Sequence, residues 1–189
     1  ANSVHLEILT SLLTLKSPRV LEIRPRTGAI LAGLQRVSNA EVFGMPIWQS
    51  QQHLLELLYG IKAPSLIDFD QFTIPFEGKF DLIICNHMLT HILRPRAFLD
   101  TLRRHLAPKG HLYLYNEPDD AEFLTGSQSM IASFNPLHVQ AFDQPSLLRA
   151  ISANGFAPKF TWHHRGMNLC LLQEAAHKEV SHSTPLNVS

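Results

Sequence analysis

The sequence is poor in cysteine and carries no net charge, and both features exclude classes of protein. The two cysteines, Cys85 and Cys170, lie inside the apolar runs "DLIICN" and "NLCLLQ", which indicates reduced core thiols and excludes a disulfide framework. Lysine plus arginine and aspartate plus glutamate each total 16, so no net field attracts the chain to nucleic acid or to an acidic membrane. The expected partner is a small molecule or another protein.

Long hydrophobic runs are also missing. No apolar run approaches the roughly 18 to 20 residues of a membrane span, and residues 1–15 lack the basic start and cleavage site of a signal peptide. The sequence therefore predicts a cytoplasmic location and no membrane partner. With 189 residues, 45% of them hydrophobic, the chain is expected to form a single domain over 1–174 and a mobile polar tail over 175–189.

Strand and helix patterns alternate along the chain. Predicted strands cover 19–23, 40–45, 65–69, 80–86, 111–118, 158–164 and 167–173. Predicted helices cover 4–15, 28–37, 49–60, 94–110 and 143–155. The alternation predicts an α/β fold with a doubly wound, mostly parallel sheet of these seven strands and helices on both faces. The last two strands are expected to form an antiparallel hairpin at the edge of the sheet.

Several segments resemble the class I S-adenosylmethionine-dependent methyltransferases of the small-molecule type. They are "VLEIRPRTG" (20–28), "FDLIICNHMLTHILRPRAFLDTLRRHLAPKGHLYLYNEP" (80–118) and "NPLHVQAFDQPSLLRAISANGF" (135–156), in the family's order. The resemblance runs from Arg19 to about Phe156. It implies a Rossmann-like fold, methyl transfer from S-adenosylmethionine to a small-molecule acceptor, and a lid-like segment at 119–140.

The cofactor loop departs from the family pattern, which resembles "VLEIGCGTG". Glu22, Thr27 and Gly28 match this pattern, whereas "RPR" at 24–26 replaces its glycine-rich part. Glycines at such a turn permit positive φ and close approach of a ligand. At the end of the second strand, Pro46 stands where the family has an acidic residue that accepts hydrogen bonds from the ribose. The two departures predict weak or atypical cofactor binding.

The remaining cofactor contacts are also implied by the resemblance. Arg24 lies in the loop, Met45 ends the second strand, Asp70 matches the position that contacts the adenine amino group, and Asn86 follows the fourth strand. Ligands of doubly wound sheets bind at the carboxyl ends of the strands, near the switch in strand order. Glu22, Asp70 and Asn86 map to that edge.

The two loop arginines, Arg24 and Arg26, have alternative interpretations. Their guanidinium groups suit an anion such as a substrate phosphate. They can equally pair with Glu22 or Asp68, or face solvent. The sequence leaves these alternatives open.

Three residues are candidates for catalysis: His87, Glu117 and His138. His87 can line the pocket or transfer a proton, and Glu117 can take a proton from a substrate atom, although Glu117 can also be a turn former. His138 lies on the lid-like segment, where packing is the alternative role. His87 and His91 have i, i+4 spacing, but no third ligand follows at a recognisable spacing, so no metal site is predicted.

Two functions from different classes fit the sequence. The first is methyl transfer to a small molecule with a modified cofactor loop. The second is a catalytically degenerate methyltransferase-fold domain that serves as a binding or assembly module. A nicotinamide-dependent oxidoreductase is disfavoured because the G-x-G-x-x-G turn is absent. An upstream domain or a homo-oligomer is compatible with either function.

Overall fold

A six-stranded mixed sheet forms the centre of the computed structural model, which describes residues 2–13, 16–118, 138–164 and 167–175. The strands are β1 (Arg19–Ile23), β2 (Glu41–Met45), β3 (Phe80–Asn86), β4 (Leu106–Pro118), β5 (Phe156–His164) and β6 (Met167–Glu174). The helices are α1 (Asn2–Leu12), α2 (Ala29–Ser38), α3 (Gln49–Tyr59), α4 (Pro95–His105) and α5 (Gln144–Ala153), with a 3-10 turn at Leu89–His91. The predicted α/β fold is confirmed.

The strand order is β2-β1-β3-β4-β6-β5. β1 pairs in parallel with both β2 and β3, and β3 pairs in parallel with β4. β6 lies antiparallel between β4 and β5, which places β5 at the edge. Because the chain leaves β1 to one side for β2 and to the other for β3, the topological switch point lies at the carboxyl ends of β1 and β3.

β3 shows how the sequence produces a two-sided core. Its apolar side chains alternate between two clusters of buried residues, so Ile83 and Cys85 face one layer while Leu82 and Ile84 face the other. A strand buried on both faces reads as a continuous apolar run, and this explains why "FDLIICN" predicts it well. Both cysteines are buried and unpaired by disulfides, as expected.

Residues 65–69, predicted as a strand, form none. The chain from 62 to 67 runs beside β2 and the residue that follows it, with two hydrogen bonds: Gly44 N donates to Lys62 O at 2.9 Å, and Ile67 N donates to Pro46 O at 2.9 Å. Pro46 and Pro64 have no N–H group, so the ladder is not extended between these contacts. The prediction of seven strands is therefore wrong for the part of the chain that the structure describes, which has six.

The boundary between α4 and β4 differs from the predicted one because a proline and a turn lie there. α4 ends at His105, earlier than the predicted 110, and β4 begins at Leu106 with irregular pairing to β3 before His111. Pro108 cannot continue a helix, and Lys109 adopts a φ of 66° in the turn. Three predicted features lie outside the described residues: most of the lid-like segment at 119–137, the hairpin connection at 165–166, and the tail after 175.

The end of α3 and the start of α5 agree closely with the sequence signals. Gly60 closes α3 in the left-handed conformation, with a φ of 64°. Asp143 caps α5, because its side chain accepts a hydrogen bond from Ser146 N at 2.7 Å. Among the described residues, no helix has the length and apolar character needed to cross a membrane.

Gly28 joins the β1 loop to α2 and is required there by two independent constraints. Its φ is 72°, in the left-handed region. A Cβ atom at this position would overlap Leu55 Cδ2 and would lie 3.3 Å from Tyr59 Cδ2, both on α3. The matched loop glycine therefore serves packing between the loop and α3.

We expect Gly28→Ala to destabilise the fold by about 2 to 4 kcal/mol, because it combines left-handed strain with overpacking. Gly60→Ala is the matched control: its φ is 64°, but nothing lies within 4 Å of the added Cβ. It should cost only about 1 to 2 kcal/mol. Urea unfolding of both variants measures the difference, and equal losses would contradict the packing role of Gly28.

Candidate functional site

Polar side chains meet at the carboxyl ends of β1, β3 and β4, where two neighbouring cavities open. The smaller, about 240 Å³, is lined by residues that include Glu22, Thr27 and Gly28. The larger, about 440 Å³, is lined by residues that include Arg24 and Trp48. Both cavities share Arg26, Asn86 and Asn116. They lie at the switch point, where a doubly wound sheet binds its ligands.

Arg24 lies at the position where the family has its first loop glycine. Its φ is 62°, so an arginine holds the left-handed conformation that glycine would adopt without strain. Its N–H donates to Met45 O at 2.9 Å, and its guanidinium donates to the backbone carbonyl of His87 at 2.5 Å. Burial lowers the pKa of Arg24, while the carboxylate of Glu117 acts in the opposite direction. Arg24 thereby ties the end of β1 to the end of β3.

The other loop arginine, Arg26, differs from Arg24 in its exposure to solvent. Arg26 is exposed and lines the mouths of both cavities. Among the ion pairs of the described residues, neither Arg24 nor Arg26 pairs with Glu22 or Asp68. Arg26 thus faces solvent at the cavity mouths, and the guanidinium of Arg24 donates to a backbone carbonyl. The binding of an anion by these arginines stays a prediction.

Two asparagines cross the edge of the sheet beside Arg24. Asn116 Nδ2 donates to Asn86 Oδ1 at 3.1 Å, and Asn86 Nδ2 donates to Arg24 O at 3.5 Å. Asn86 is buried, and Asn116 adopts a φ of 56° at the end of β4. This chain of amides holds the ends of β1, β3 and β4 in one arrangement and presents further acceptors to both cavities.

Glu22 is a buried carboxyl group in the wall of the smaller cavity, and only 2% of it is exposed. Tyr115 Oη donates to its Oε1 at 3.1 Å. Its Oε2 is buried and has no hydrogen-bond partner in the described part of the chain. Burial raises the pKa of Glu22 to about 7, and the hydrogen bond from Tyr115 only partly offsets that effect. A ligand donor in the cavity would satisfy Oε2.

Glu117 is equally buried but is engaged by the backbone. Its Oε1 accepts a hydrogen bond from Met88 N at 2.7 Å, and Leu89 N lies 3.2 Å from its Oε2. A carboxylate that accepts from amides at the start of a helical turn fixes that turn. The structure thus gives Glu117 a positioning task, holding the turn that follows β3.

Three histidines come together where that turn begins. His87 Nε2 lies 3.1 Å from His138 Nε2, and the ring centroid of His91 lies 5.1 Å from that of His87 and 4.8 Å from that of His138. His87 has a φ of 51°, and its N–H donates to Tyr115 O at 3.0 Å. Burial lowers the pKa of His87 to about 3, and the positive charge of Arg24 adds to the effect. His87 is therefore neutral at physiological pH.

His138 reaches this cluster through its neighbours. Val139 N donates to Thr90 O at 2.8 Å, and Gln140 N donates to the same carbonyl at 3.3 Å. The sequence did not predict the cluster, because His138 lies 51 positions after His87 and no spacing rule connects them. Two signals were present separately: the pair in "HMLTH" and the expectation that the segment containing His138 folds over the pocket.

The other three residues predicted to bind the cofactor do not lie together. Met45 has a buried side chain in the core and reaches the site through its carbonyl only. Thr27 is exposed, and its Oγ1 lies 3.4 Å from Ala29 N. Asp70 is exposed and lines a different cavity, about 470 Å³, together with Phe72 and Arg94. The adenine contact of Asp70 stays a prediction.

A doubly wound sheet with a polar cavity at its switch point defines a Rossmann-like ligand-binding domain. A family profile described as "Methyltransferase domain" matches residues 4–158, most of the chain. The chain therefore belongs to the methyltransferase-domain family and, within it, to the class I S-adenosylmethionine-dependent enzymes. No curated protein matches the sequence.

Solved structures share the fold at low identity. An S-adenosylmethionine-dependent methyltransferase from Clostridium acetobutylicum is 10% identical, with a TM-score of 0.70 over 92% of this chain and 90% of that one. One from Mesorhizobium loti is 13% identical, with a TM-score of 0.70 over 91% and 99%. Ribosomal protein L11 methylase from Lactobacillus delbrueckii subsp. bulgaricus is 17% identical, with a TM-score of 0.60 over 91% and 78%. At these identities the likeness concerns the fold alone.

We expect Glu22→Gln to stabilise the protein at pH 8 by roughly 3 kcal/mol and at pH 5 by less than about 1 kcal/mol. The folded-state pKa of about 7 lies above the ordinary value of 4.5, so the folded protein holds the proton more tightly. Stability of the natural chain therefore falls as pH rises from about 4.5 to 7, and the glutamine variant, which mimics the protonated form, escapes that loss.

Urea unfolding of both proteins across pH 5 to 8 checks this expectation. Glu56→Gln is the control, since it makes the same substitution at an exposed position of α3 and should change stability by less than about 0.5 kcal/mol. A Glu22→Gln gain that is the same at every pH would contradict the raised pKa.

Proposed function

We propose that the chain transfers a methyl group from S-adenosylmethionine to a small-molecule acceptor in the cavities at the ends of β1, β3 and β4. The observation that carries the proposal is the backbone of Arg24, whose φ of 62° lies in the left-handed region that glycine permits. The loop keeps a glycine-like turn although its sequence has changed. When bound, S-adenosylmethionine supplies an electrophilic methyl group on a sulfonium centre for in-line displacement.

The smaller cavity suits the methionine end of the cofactor. Glu22 Oε2 offers an acceptor without a partner. The side-chain Oδ1 of Asn86 accepts one hydrogen bond from Asn116 and has a second lone pair. An ammonium group carries several N–H donors and matches such acceptors. Thr27 and Gly28 complete this wall of the cavity.

The larger cavity suits the nucleoside end and the acceptor. Trp48 is 59% exposed and lines the cavity, so its indole face is available to stack on an adenine ring. The volume of about 440 Å³ falls within the usual range for small-molecule sites, roughly 300 to 1,000 Å³. This size supports a small acceptor, whereas the ribosomal protein L11 methylase with the same fold acts on a protein.

We expect weak cofactor binding for two reasons, one in the loop after β1 and one at the end of β2. Arg24 lines the larger cavity, and its positive charge would oppose a sulfonium cation bound there, because like charges repel more strongly when partly buried. Pro46 offers no side-chain acceptor to the ribose. The neutral thioether product should therefore bind more tightly than the sulfonium cofactor.

On the acceptor side, we propose that His87 orients the substrate. It lines the larger cavity, and its neutral imidazole can exchange a hydrogen bond with an acceptor hydroxyl or amine. His138 holds the His87 ring through their contact of 3.1 Å. Glu117 acts as a positioning residue through the amides of Met88 and Leu89.

The alternative is a degenerate domain that binds or assembles without methyl transfer. The contact between the Arg24 guanidinium and the carbonyl of His87 favours it, because this contact closes the space that a glycine would leave open. Pro46 also favours the degenerate domain, because it offers no side-chain acceptor to the ribose. In this alternative the domain serves within a longer protein or a homo-oligomer.

Calorimetric titration of the whole chain with S-adenosylmethionine and S-adenosylhomocysteine tests the proposal. We expect saturable, weak binding by the natural chain and an affinity about tenfold higher in Arg24→Gly, since that change removes bulk and positive charge at a φ that suits glycine. Arg36→Ala is the control: it removes one positive charge from an exposed position on α2 that lines neither cavity, and it should change affinity by less than about threefold.

Three outcomes separate the alternatives. Binding by the natural chain supports the enzyme and justifies a search for the acceptor with labelled methyl donor. If the natural chain shows no binding and Arg24→Gly binds, the result supports the degenerate domain and identifies Arg24 as the residue that prevents cofactor binding. If neither the natural chain nor Arg24→Gly binds at millimolar ligand, the proposed cofactor site is refuted.

A further inference from the structure

We propose that His87, His91 and His138 form a binding site for a divalent transition-metal ion of the zinc, cobalt and nickel class. Each residue offers one imidazole nitrogen, and these three nitrogens all lie within 4.8 Å of one another. The inference goes beyond methyl transfer and does not depend on it.

The distances are close to those of a three-histidine metal site. With Zn–N bonds of about 2.0 to 2.1 Å in tetrahedral geometry, ligand nitrogens lie about 3.3 Å apart. His87 Nε2 and His138 Nε2 are already 3.1 Å apart. The rings meet at interplanar angles of 38°, 69° and 76°, so none of the pairs is stacked. The separations that involve His91 are at most 4.8 Å, so a shift of its ring nitrogen by up to about 1.5 Å completes the approach.

The backbone holds the three ligands in place without a metal. Glu117 fixes the amides of Met88 and Leu89, on either side of which His87 and His91 lie. His91 N donates to Met88 O at 2.9 Å within the 3-10 turn. The segment with His138 is attached to that same turn through Thr90 O. Ligands carried on fixed backbone are preorganised for a metal.

The donor set and the surrounding charges select the class of ion. Imidazole nitrogens suit zinc, copper, nickel and cobalt, whereas magnesium and calcium require oxygen ligands. Arg24 and Arg26 oppose a cation at His87, and the buried carboxylate of Glu117 offsets part of the charge of Arg24. Three protein ligands leave a fourth position for water or an acceptor oxygen, and His87 also lines the larger cavity.

Titration of the metal-free whole chain with Co²⁺ tests the site, because tetrahedral Co²⁺ absorbs strongly in the visible range and Zn²⁺ displaces it. We expect one equivalent to bind, and His87→Ala and His138→Ala each to weaken binding by at least about tenfold. His53→Ala removes an exposed histidine from α3 and should leave binding unchanged. Circular dichroism reports whether each variant folds.

His138→Cys keeps a metal ligand and adds a distinctive signal. A thiolate on Co²⁺ gives an intense charge-transfer band in the near ultraviolet, which a purely structural histidine contact would not produce. The band supports the site, even if the alanine variants fail to fold. Its absence overturns the proposal, as does Co²⁺ binding that survives both alanine substitutions in folded protein or that is lost equally in His53→Ala. These readouts need no methyl donor, so they are independent of the proposed enzymatic function.

Discussion

The buried carboxylate of Glu117 is the interaction on which the arrangement of the site depends. It stands near the end of β4 and accepts hydrogen bonds from the amides of Met88 and Leu89, which follow β3. A buried charge that is satisfied by backbone amides is costly to displace. The turn that it fixes carries His87 at one end and His91 at the other, and Thr90 in between receives the segment with His138. One side chain thus connects two strand ends to three histidines.

In the loop after β1, the backbone conformation matches that of a glycine-rich loop, whereas the side chains do not. Arg24 preserves the left-handed backbone that a glycine would give, while its side chain closes the space that a glycine would leave. Gly28 is retained, and its lack of a Cβ serves contact with α3. A matching residue in a cofactor motif is therefore no proof that the residue acts on the cofactor. Conversely, a mismatched residue can preserve the fold of the motif.

The sequence predicted what depends on local pattern and missed what depends on distant contacts. The apolar run of β3, the left-handed Gly60 and the Asp143 cap follow from periodicity and capping rules, and the structure confirms them. The strand expected at 65–69 failed because two prolines deny it a ladder. The partner of Arg24 is a backbone carbonyl, which has no sequence signature. His138 meets its cluster across 51 positions, beyond any spacing rule.

The left-handed arginine also has an evolutionary consequence. Every arginine codon becomes a glycine codon by a single base change, and the backbone of Arg24 needs no rearrangement to accept that exchange. The arginine and glycine forms of the loop therefore lie one mutation apart and share one backbone conformation. A glycine at this position would enlarge the cavity that Arg24 lines, with no change required elsewhere in the sheet.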